Sequence, residues 1–469
     1  MRYQDLTVEI RPNLAGEGGG PYRVDVRSDA FGRGTATFEL PSGTDTEHLL
    51  RALEYRVARS AAAAQPAEAA RNLAPWTEEP PPPPPPAPTD LGTALFSALF
   101  RGKTLRVLDR CLAHEEGTRA ETGEERGLRL RFVFDPSDAE LPALAGVPWE
   151  LLYHPDAHRF LARSRHTPVV RTIAVPRPAP PLLLPADRPL RVLLVEASPT
   201  DQRSLATGAE AAAIEDALGK LPGVEVVRAS HADLGPLHRD HLRPGGFHAV
   251  HFMGHGDFDD GTGEAVLCFE RPDRTTRHVP AALFSEHVED AGTVRLVVLN
   301  ACLTGALPRR HGQDPFTAAA TALVIGGTPA VVAMQLPISD RAAVAFATEL
   351  YRALARREHL SAAVAAGRLA ICRDEPDTLE WATPVLYLRG DDELFELPQN
   401  PAGALLPHTR QKNATPEEPP LRLGVRSLVG HGHDLESKAD RPLSLVHHFD
   451  GPAIRDPARW HQAVLPELR

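Results

Sequence analysis

Six short apolar runs alternate with segments of helical pattern, and this alternation restricts the fold more than any other feature of the sequence. The runs are rich in Val, Leu and Ala and are bounded by turn residues, as buried strands are. They cover residues 190–195, 224–227, 248–253, 295–299, 329–334 and 385–388. Strands that alternate with helices form a mostly parallel sheet with helices on both faces. We therefore predict an α/β fold, doubly wound around a six-stranded sheet.

The chain before this alternation divides into three segments. Residues 1–60 hold three alternating stretches and a helical segment at about 45–59, which predicts a small β-rich N-terminal module. Residues 61–89 are Ala-rich and then Pro-rich, which predicts a linker, although a proline run can also dock a proline-reading domain. Residues 90–188 lead into the core and begin with a predicted helix, capped by Asp90 and running to about Leu112.

The chain after residue 188 divides in a similar way. Residues 189–398 form the predicted core, which includes an insertion at 261–280. Within the core, Asp340 is the predicted cap of a helical stretch that continues to Ile371, as one helix or two. Residues 399–420 are polar and contain proline, as linkers do, and 421–469 resume apolar patterning as a small C-terminal module of unknown role.

Composition limits the classes of function. The net charge of -11 argues against a nucleic-acid partner, and no apolar run is long enough to cross a membrane. The N-terminus lacks the apolar segment of a signal peptide, so we expect a cytoplasmic protein. The cysteines lie far apart without a CxxC motif, which predicts free thiols rather than disulfides or a zinc ribbon: Cys111, Cys268, Cys302 and Cys372. We expect neither a cofactor nor a metal.

Two of the predicted strands end in reactive residues. The run that starts at Phe247 stops at His255-Gly256, and the run that starts at Val294 stops at Cys302. If these strands are parallel neighbours, their ends emerge together at the carboxyl edge of the sheet, where open α/β sheets hold their sites. We therefore predict a thiol–imidazole pair of His255 and Cys302.

This pair meets the requirements of a cysteine nucleophile. The imidazole of His255 can take the thiol proton or stabilise the thiolate. The backbone N–H groups of Gly256 and Cys302 can stabilise an oxyanion together. Each residue taken alone has a structural explanation, because a lone cysteine is usually a small buried hydrophobe and a lone histidine a satisfied polar group.

The other histidines are weaker candidates. His248 and His251 are three residues apart on one strand, so they face opposite sides and make poor joint metal ligands. His431-Gly432 repeats the His-Gly dipeptide, but no buried strand leads into it and every cysteine precedes it. We interpret it as a surface turn.

Several short blocks resemble a known family. Gly254-His-Gly256 and Asn300-Ala-Cys302 each follow an apolar strand, and Cys302 follows His255 by 47 positions, close to the roughly 50 of caspases. Further similar blocks occur in the same order, at 148–152 (PWELL), at 331–335 (VVAMQ), which Asp340 follows, and at 384–388 (PVLYL). Over roughly residues 105–398 the chain resembles the CHAT domain, a bacterial branch of the caspase-like peptidases related to separases.

The resemblance implies a cysteine endopeptidase. It makes His255 the base or ion-pair partner and Cys302 the nucleophile. Many CHAT proteins carry tetratricopeptide or other sensor repeats, and this sequence shows no repeats. The implied biological setting is a regulated bacterial defence or cell-death system, in which the enzyme cuts one specific protein.

The substrate pocket has two interpretations at this stage. Clan members that cut after basic residues line the first pocket with acid, for which Asp257, Asp259, Asp260 and Asp340 are candidates. Met334 and Gln335 follow a strand that could wall the pocket, which would suit an uncharged side chain. Both interpretations stay open. Arg309-Arg310 is either a self-processing point or part of a solvated loop.

Two functions from different classes follow. The first is an intracellular cysteine endopeptidase with a protein substrate and an activator or sensor protein as partners, but no nucleic acid and no membrane. The alternative is a catalytically inactive caspase-like scaffold that binds proteins. Serine hydrolase and phosphate-binding chemistry are disfavoured, because the sequence lacks the G-x-S-x-G and G-x-x-x-x-G-K-[ST] motifs.

Overall fold

A computed structural model describes residues 1–13, 20–41, 87–137, 141–175, 180–185, 187–202, 207–229, 231–301, 314–336, 338–374 and 379–396. The strands are β1 (Arg2–Pro12), β2 (Tyr22–Ser28), β3 (Gly32–Phe38), β4 (Arg126–Phe134), β5 (Tyr153–His154), β6 (Arg159–Phe160), β7 (Val169–Ile173), β8 (Leu182–Leu183), β9 (Leu190–Glu196), β10 (Val224–Ala229), β11 (Ala249–Gly254), β12 (Gly256–Phe258), β13 (Ala265–Glu270), β14 (Thr276–Pro280), β15 (Leu296–Ala301), β16 (Ala330–Met334), β17 (Pro384–Leu388) and β18 (Phe395–Glu396).

One large sheet contains all six predicted strands. Its strand order is β10-β9-β11-β15-β16-β17-β7-β4-β1-β2-β3. The predicted strands are the first six, of which five are parallel and β17 runs antiparallel to β16. The prediction of a mostly parallel α/β fold is confirmed, and the sheet continues beyond the six strands.

The helices cover this sheet. They are α1 (Pro88–Leu99), α2 (Lys103–Thr122), α3 (Leu141–Gly146), α4 (Thr207–Gly219), α5 (Ala281–Asp290), α6 (Pro315–Gly326), α7 (Asp340–Ala355) and α8 (Leu360–Asp374), with a further helical segment over 234–245. α7 packs against α4 and α8, whereas α5 packs against α6. Every residue of β11, β16 and β17 is buried, because the central strands of a sheet with helices on both faces are covered twice.

The N-terminal strands extend the central sheet instead of forming a sheet of their own. β1 pairs in parallel with β4, and β2 and β3 follow as antiparallel neighbours. Buried and more exposed residues alternate along β1 and β2, as expected of strands with one covered face. Helix α2 packs against this part of the sheet. The predicted β-rich module at 1–60 therefore shares its hydrogen-bond ladder with the core.

A buried charged group ties these N-terminal strands to the core. The carboxylate of Asp392 accepts hydrogen bonds from Arg129 on β4, from Nδ1 of His359 at 2.9 Å and from the backbone and hydroxyl of Ser361. Arg129 also donates to Asp5 of β1 at 2.6 Å. We call these five residues the Asp392 cluster.

Two predicted helix boundaries are wrong. Asp90 does not cap its helix, because α1 begins at Pro88 with Ala87 as its N-cap, and proline suits the first turn. The predicted single helix is two, since α1 ends at Leu99 and Gly102, with φ +53°, is the N-cap of α2.

The prediction of a cap at Asp340 is wrong by one position. The N-cap of α7 is Ser339, whose side chain accepts from the Ala342 N–H at 3.3 Å, and Asp340 is the first helical residue. The predicted helical stretch to Ile371 is two helices, α7 and α8, as one of its two forms allowed.

Four predicted features lie outside the described residues: the helix at 45–59, the proline run at 80–86, the linker 399–420 and the module 421–469, which includes His431. Within the described ranges, no helix combines the length and the apolar character needed to cross a bilayer.

Candidate active site

The register of β11 and β15 defines the site. Gly254 pairs with Ala301, the last residue of each strand, in a parallel ladder. His255 directly follows Gly254 and Cys302 directly follows Ala301. Cys302 itself lies outside the described residues, as do Arg309 and Arg310. Paired Cα atoms of neighbouring strands are about 5 Å apart, so the two chains reach the carboxyl edge side by side.

The glycines on each side of His255 have a packing reason. A Cβ on Gly254 would lie 2.9 Å from the Ala197 Cβ, closer than such atoms approach. A Cβ on Gly256 would lie 3.1 Å from Pro315 and from the Phe316 ring at the start of α6. The Gly-His-Gly sequence thus lets the chain pass between the end of β9 and the N-terminus of α6. His255 is half-buried there.

The backbone N–H of Gly256 faces away from its neighbouring strand. β12 pairs antiparallel with β13, with Gly256 opposite Leu267, and the Cys268 N–H donates to the His255 carbonyl at 3.0 Å. In an antiparallel ladder this bond makes Gly256 and Leu267 a non-hydrogen-bonded pair. The Gly256 N–H therefore points to the outer edge of β12, next to His255.

A buried pair that sequence reasoning missed lies one step below the strand ends. Asn300 pairs with Met253 in the ladder, and its Nδ2 donates to the carboxylate of Glu210 on α4. Both side chains are buried. The only sequence signal was Asn300 in the Asn-Ala-Cys block, since nothing in the sequence marked Glu210.

A second buried group lies directly beyond β16. Glu150 accepts hydrogen bonds from Arg171 Nη2 at 2.6 Å and from Gln335 Nε2 at 3.2 Å. Arg368 Nη2 lies 3.8 Å from the other carboxylate oxygen of Glu150, and Arg171 donates to the Tyr387 hydroxyl at 3.1 Å. All five side chains are buried, and burial lowers the pKa of Arg368 to about 10. We call them the Glu150 cluster.

Two predicted pocket residues, Gln335 and Met334, lie at this cluster. Gln335 also donates to the Ala382 carbonyl at 2.8 Å, so its amide is used inside the protein, and Met334 is buried beside it. Both side chains are therefore buried within the part of the chain that the structure describes. Leu299 pairs with Ala333 in the ladder of β15 and β16. Extending this register by two residues places Ala301 opposite Gln335, so the backbone of Gln335 lies next to the site.

The acidic candidates Asp257 and Asp340 are half-buried and closer to the surface. Asp257 lies on β12 directly after Gly256, and its Oδ1 accepts from the Phe258 N–H at 2.8 Å. Asp340 lines a groove of about 460 Å³ between α4, α7 and the end of α8, and burial raises the pKa of its carboxyl. Asp259 and Asp260 lie in the turn that follows β12.

His248, His251 and Cys268 are buried within the protein. Burial lowers the pKa of His248 to about 4 and that of His251 to about 3, so both are neutral at pH 7. Burial raises the pKa of Cys268 to about 12, which makes its thiol inert. Among the described residues, no three His, Cys, Asp or Glu side chains gather as a metal site.

A family comparison agrees with these strand ends and blocks. A model of the CHAT domain matches residues 89–401, more than half of the chain. The chain belongs to the CHAT-domain family. This is a family of caspase-like cysteine peptidases, and the matched region contains both His255 and Cys302. A search of curated proteins finds no match.

Three solved structures show distant similarity. The Arg specific cysteine proteinase gingipain R has a TM-score of 0.36 and 10% identity, covering 62% of this chain and 68% of that one. The complex of Porphyromonas gingivalis RgpB pro- and mature domains has a TM-score of 0.35 and 11% identity, covering 62% of this chain and 70% of that one. The Saccharomyces cerevisiae separase–securin complex has 0.45 and 11%, covering 82% of this chain and 30% of that one.

Proposed function

We propose that this CHAT protein is a cysteine endopeptidase in which Cys302 is the nucleophile and His255 its base or ion-pair partner. The observation that carries the proposal is the pairing of Gly254 with Ala301, because each of these residues directly precedes one member of the pair. The packing of Gly254 and Gly256 adds support, since it fixes the backbone on both sides of His255.

The reaction is an acyl transfer in two steps. Cys302 Sγ bonds to the carbonyl carbon of the scissile peptide while His255 holds the thiol proton. The N–H groups of Gly256 and Cys302 stabilise the oxyanion, the C–N bond breaks, and the leaving amine takes the proton from His255. Water then attacks the thioester with His255 as base, which releases the acid and restores the thiol.

The substrate in this proposal is a specific protein, and an activator or sensor protein controls the enzyme. The proposed setting is a cytoplasmic bacterial defence or cell-death system, which the family resemblance supports. Among the candidate pocket residues, Asp257, Asp259 and Asp340 are half-buried and Asp260 is exposed. Substitution of each by Asn would change the preferred substrate residue if it lines the pocket.

The experiment incubates the full chain with proteins encoded beside it and detects new fragments by mass spectrometry. Wild type and Cys268→Ala, which removes a buried and inert thiol, should produce the same fragments. Cys302→Ala and His255→Ala should produce none. Equal cleavage by Cys302→Ala would contradict the nucleophile assignment, and binding of a protein without cleavage by any variant would favour the inactive scaffold.

A further inference from the structure

The side-chain amide of Asn300 uses its nitrogen in a hydrogen bond, whereas its oxygen has no partner among the described residues. Its Nδ2 donates to the carboxylate of Glu210, and this direction is fixed because a carboxylate oxygen accepts. Its Oδ1 is buried and has no hydrogen-bond partner within the part of the chain that the structure describes. A buried polar atom without a partner destabilises the folded protein, so its presence calls for an explanation.

The ladder places this oxygen's residue near His255. Asn300 pairs with Met253, and His255 lies two residues further along β11. Neighbouring strands are about 4.8 Å apart and two residues advance about 6.6 Å, so the Cα atoms of Asn300 and His255 are about 8 Å apart. Extended asparagine and histidine side chains joined by a hydrogen bond can span that distance.

The two side chains also belong to the same face of the sheet. Residues that pair across a ladder point to the same side, and so do residues two apart on a strand, which groups Asn300 with His251, Met253 and His255. His251 Nδ1 lies 3.2 Å from the Tyr351 hydroxyl of α7. Asn300 contacts Glu210 of α4, and α4 packs against α7, so this face is the one that these helices cover.

We propose that Asn300 is a positioning residue, whose Oδ1, which has no partner among the described residues in this structure, accepts a hydrogen bond from one ring N–H of His255 in the reactive arrangement. Glu210 fixes the amide by accepting from Nδ2, which leaves Oδ1 as the acceptor for the imidazole. This bond selects the tautomer and holds the other ring nitrogen for Cys302, the role that asparagine has in Cys-His-Asn proteases. The inference rests on the proposed function, because it assigns a partner to the base of that pair.

The test is the pH dependence of iodoacetamide alkylation in the full chain, followed at Cys302 by peptide mass spectrometry. The variants are Asn300→Ala and the exchanged pair Asn300→Asp with Glu210→Gln. In the exchanged pair, the carboxylate at position 300 accepts a hydrogen bond from the His255 imidazole. The amide at position 210 donates a hydrogen bond to that carboxylate. Unfolding temperatures are measured for each protein, so that loss of structure is recognised.

We expect wild-type Cys302 to react at pH 6, where an unperturbed thiol is about 0.3% thiolate. Asn300→Ala should lower the alkylation rate at pH 6 about tenfold. Near pH 9 the rate should return to the wild-type value, because at that pH the thiol ionises without an oriented imidazolium. The exchanged pair should regain the reactivity at pH 6. If it unfolds early, the profile of Asn300→Ala decides alone.

Two results would overturn the inference: a wild-type profile in Asn300→Ala, or a well-folded exchanged pair that stays unreactive at pH 6. A different result would contradict the proposed function itself, namely wild-type Cys302 reacting no faster than Cys268 at pH 6. The two failures are therefore distinguishable in one experiment.

Discussion

The Glu150 cluster and the Asp392 cluster are both built on arginine and a buried carboxylate, but they differ in how far water reaches them. All five side chains of the Glu150 cluster are buried, and they join β7, β17, α8 and the residue directly after β16 beside the candidate site. In the Asp392 cluster, the side chains of His359 and Asp5 are 21% and 34% exposed. The cluster next to the site thus has fixed charges, whereas the cluster at the N-terminal strands includes a titratable group.

The largest expected effect is that of Glu150→Gln. The substitution leaves Arg171 and Arg368 buried without their carboxylate, and breaking a buried ion pair costs about 3–5 kcal/mol. Urea unfolding measures the loss. The matched control is Glu349→Gln, which breaks a partly exposed pair with Arg352 and should change stability by at most about 1 kcal/mol. Similar losses of unfolding free energy in Glu150→Gln and Glu349→Gln would contradict the distinction between the buried and the partly exposed ion pair.

Asp392→Asn should have a smaller effect of about 2 kcal/mol, below the usual cost of breaking a buried pair. Burial alone would raise the pKa of Asp392, but the hydrogen bond from His359 and the charge of Arg129 lower it. Arg129 keeps Asp5 at 2.6 Å and Asp391 at 3.0 Å after the substitution, so its charge stays paired. A loss as large as that of Glu150→Gln would show that the two clusters are equivalent.

The smallest effect is a pH dependence confined to the Asp392 cluster. The hydrogen bond to Asp392 raises the pKa of His359 in the folded protein. Protonated His359 therefore stabilises the folded state fully at pH values below its pKa in the unfolded chain, about 6.5. This contribution to the unfolding free energy is lost as the pH rises through the pKa of His359 in the folded protein. The difference in unfolding free energy between wild type and His359→Gln should therefore be larger at pH 5.5 than at pH 9, by roughly 1 kcal/mol. An equal difference at both pH values would count against the bond.

Much of the sheet could be predicted because its central strands are continuous apolar runs. The predicted runs at 190–195 and 248–253 correspond to Leu190–Glu196 and Ala249–Gly254, with boundaries shifted by one residue. The strands near the N-terminus were also recognised, but their alternating pattern reveals which face is covered and not which strand lies beside them. Their union with β4 therefore came from the structure.

The interior of the site could be predicted less well than its position. The strand-end argument led to His255 and Cys302, and the order of β11 and β15 agrees with it. Gln335 is a pocket candidate from the sequence, and nothing local shows that Glu150, 185 residues away, accepts a hydrogen bond from its amide. The same holds for Glu210 and Asn300, which are 90 residues apart. Contacts between distant residues are absent from local patterns.

The central claim is that His255 activates Cys302, and comparative alkylation of wild type and His255→Ala tests it most directly. The rates at Cys302 and at buried Cys268 are measured at pH 6 in the same samples, so Cys268 is the internal reference. We expect Cys302 to react at least tenfold faster than Cys268 in wild type and to lose most of that advantage in His255→Ala. Equal rates at the two cysteines in wild type, or a Cys302 rate unchanged by His255→Ala, would contradict the claim.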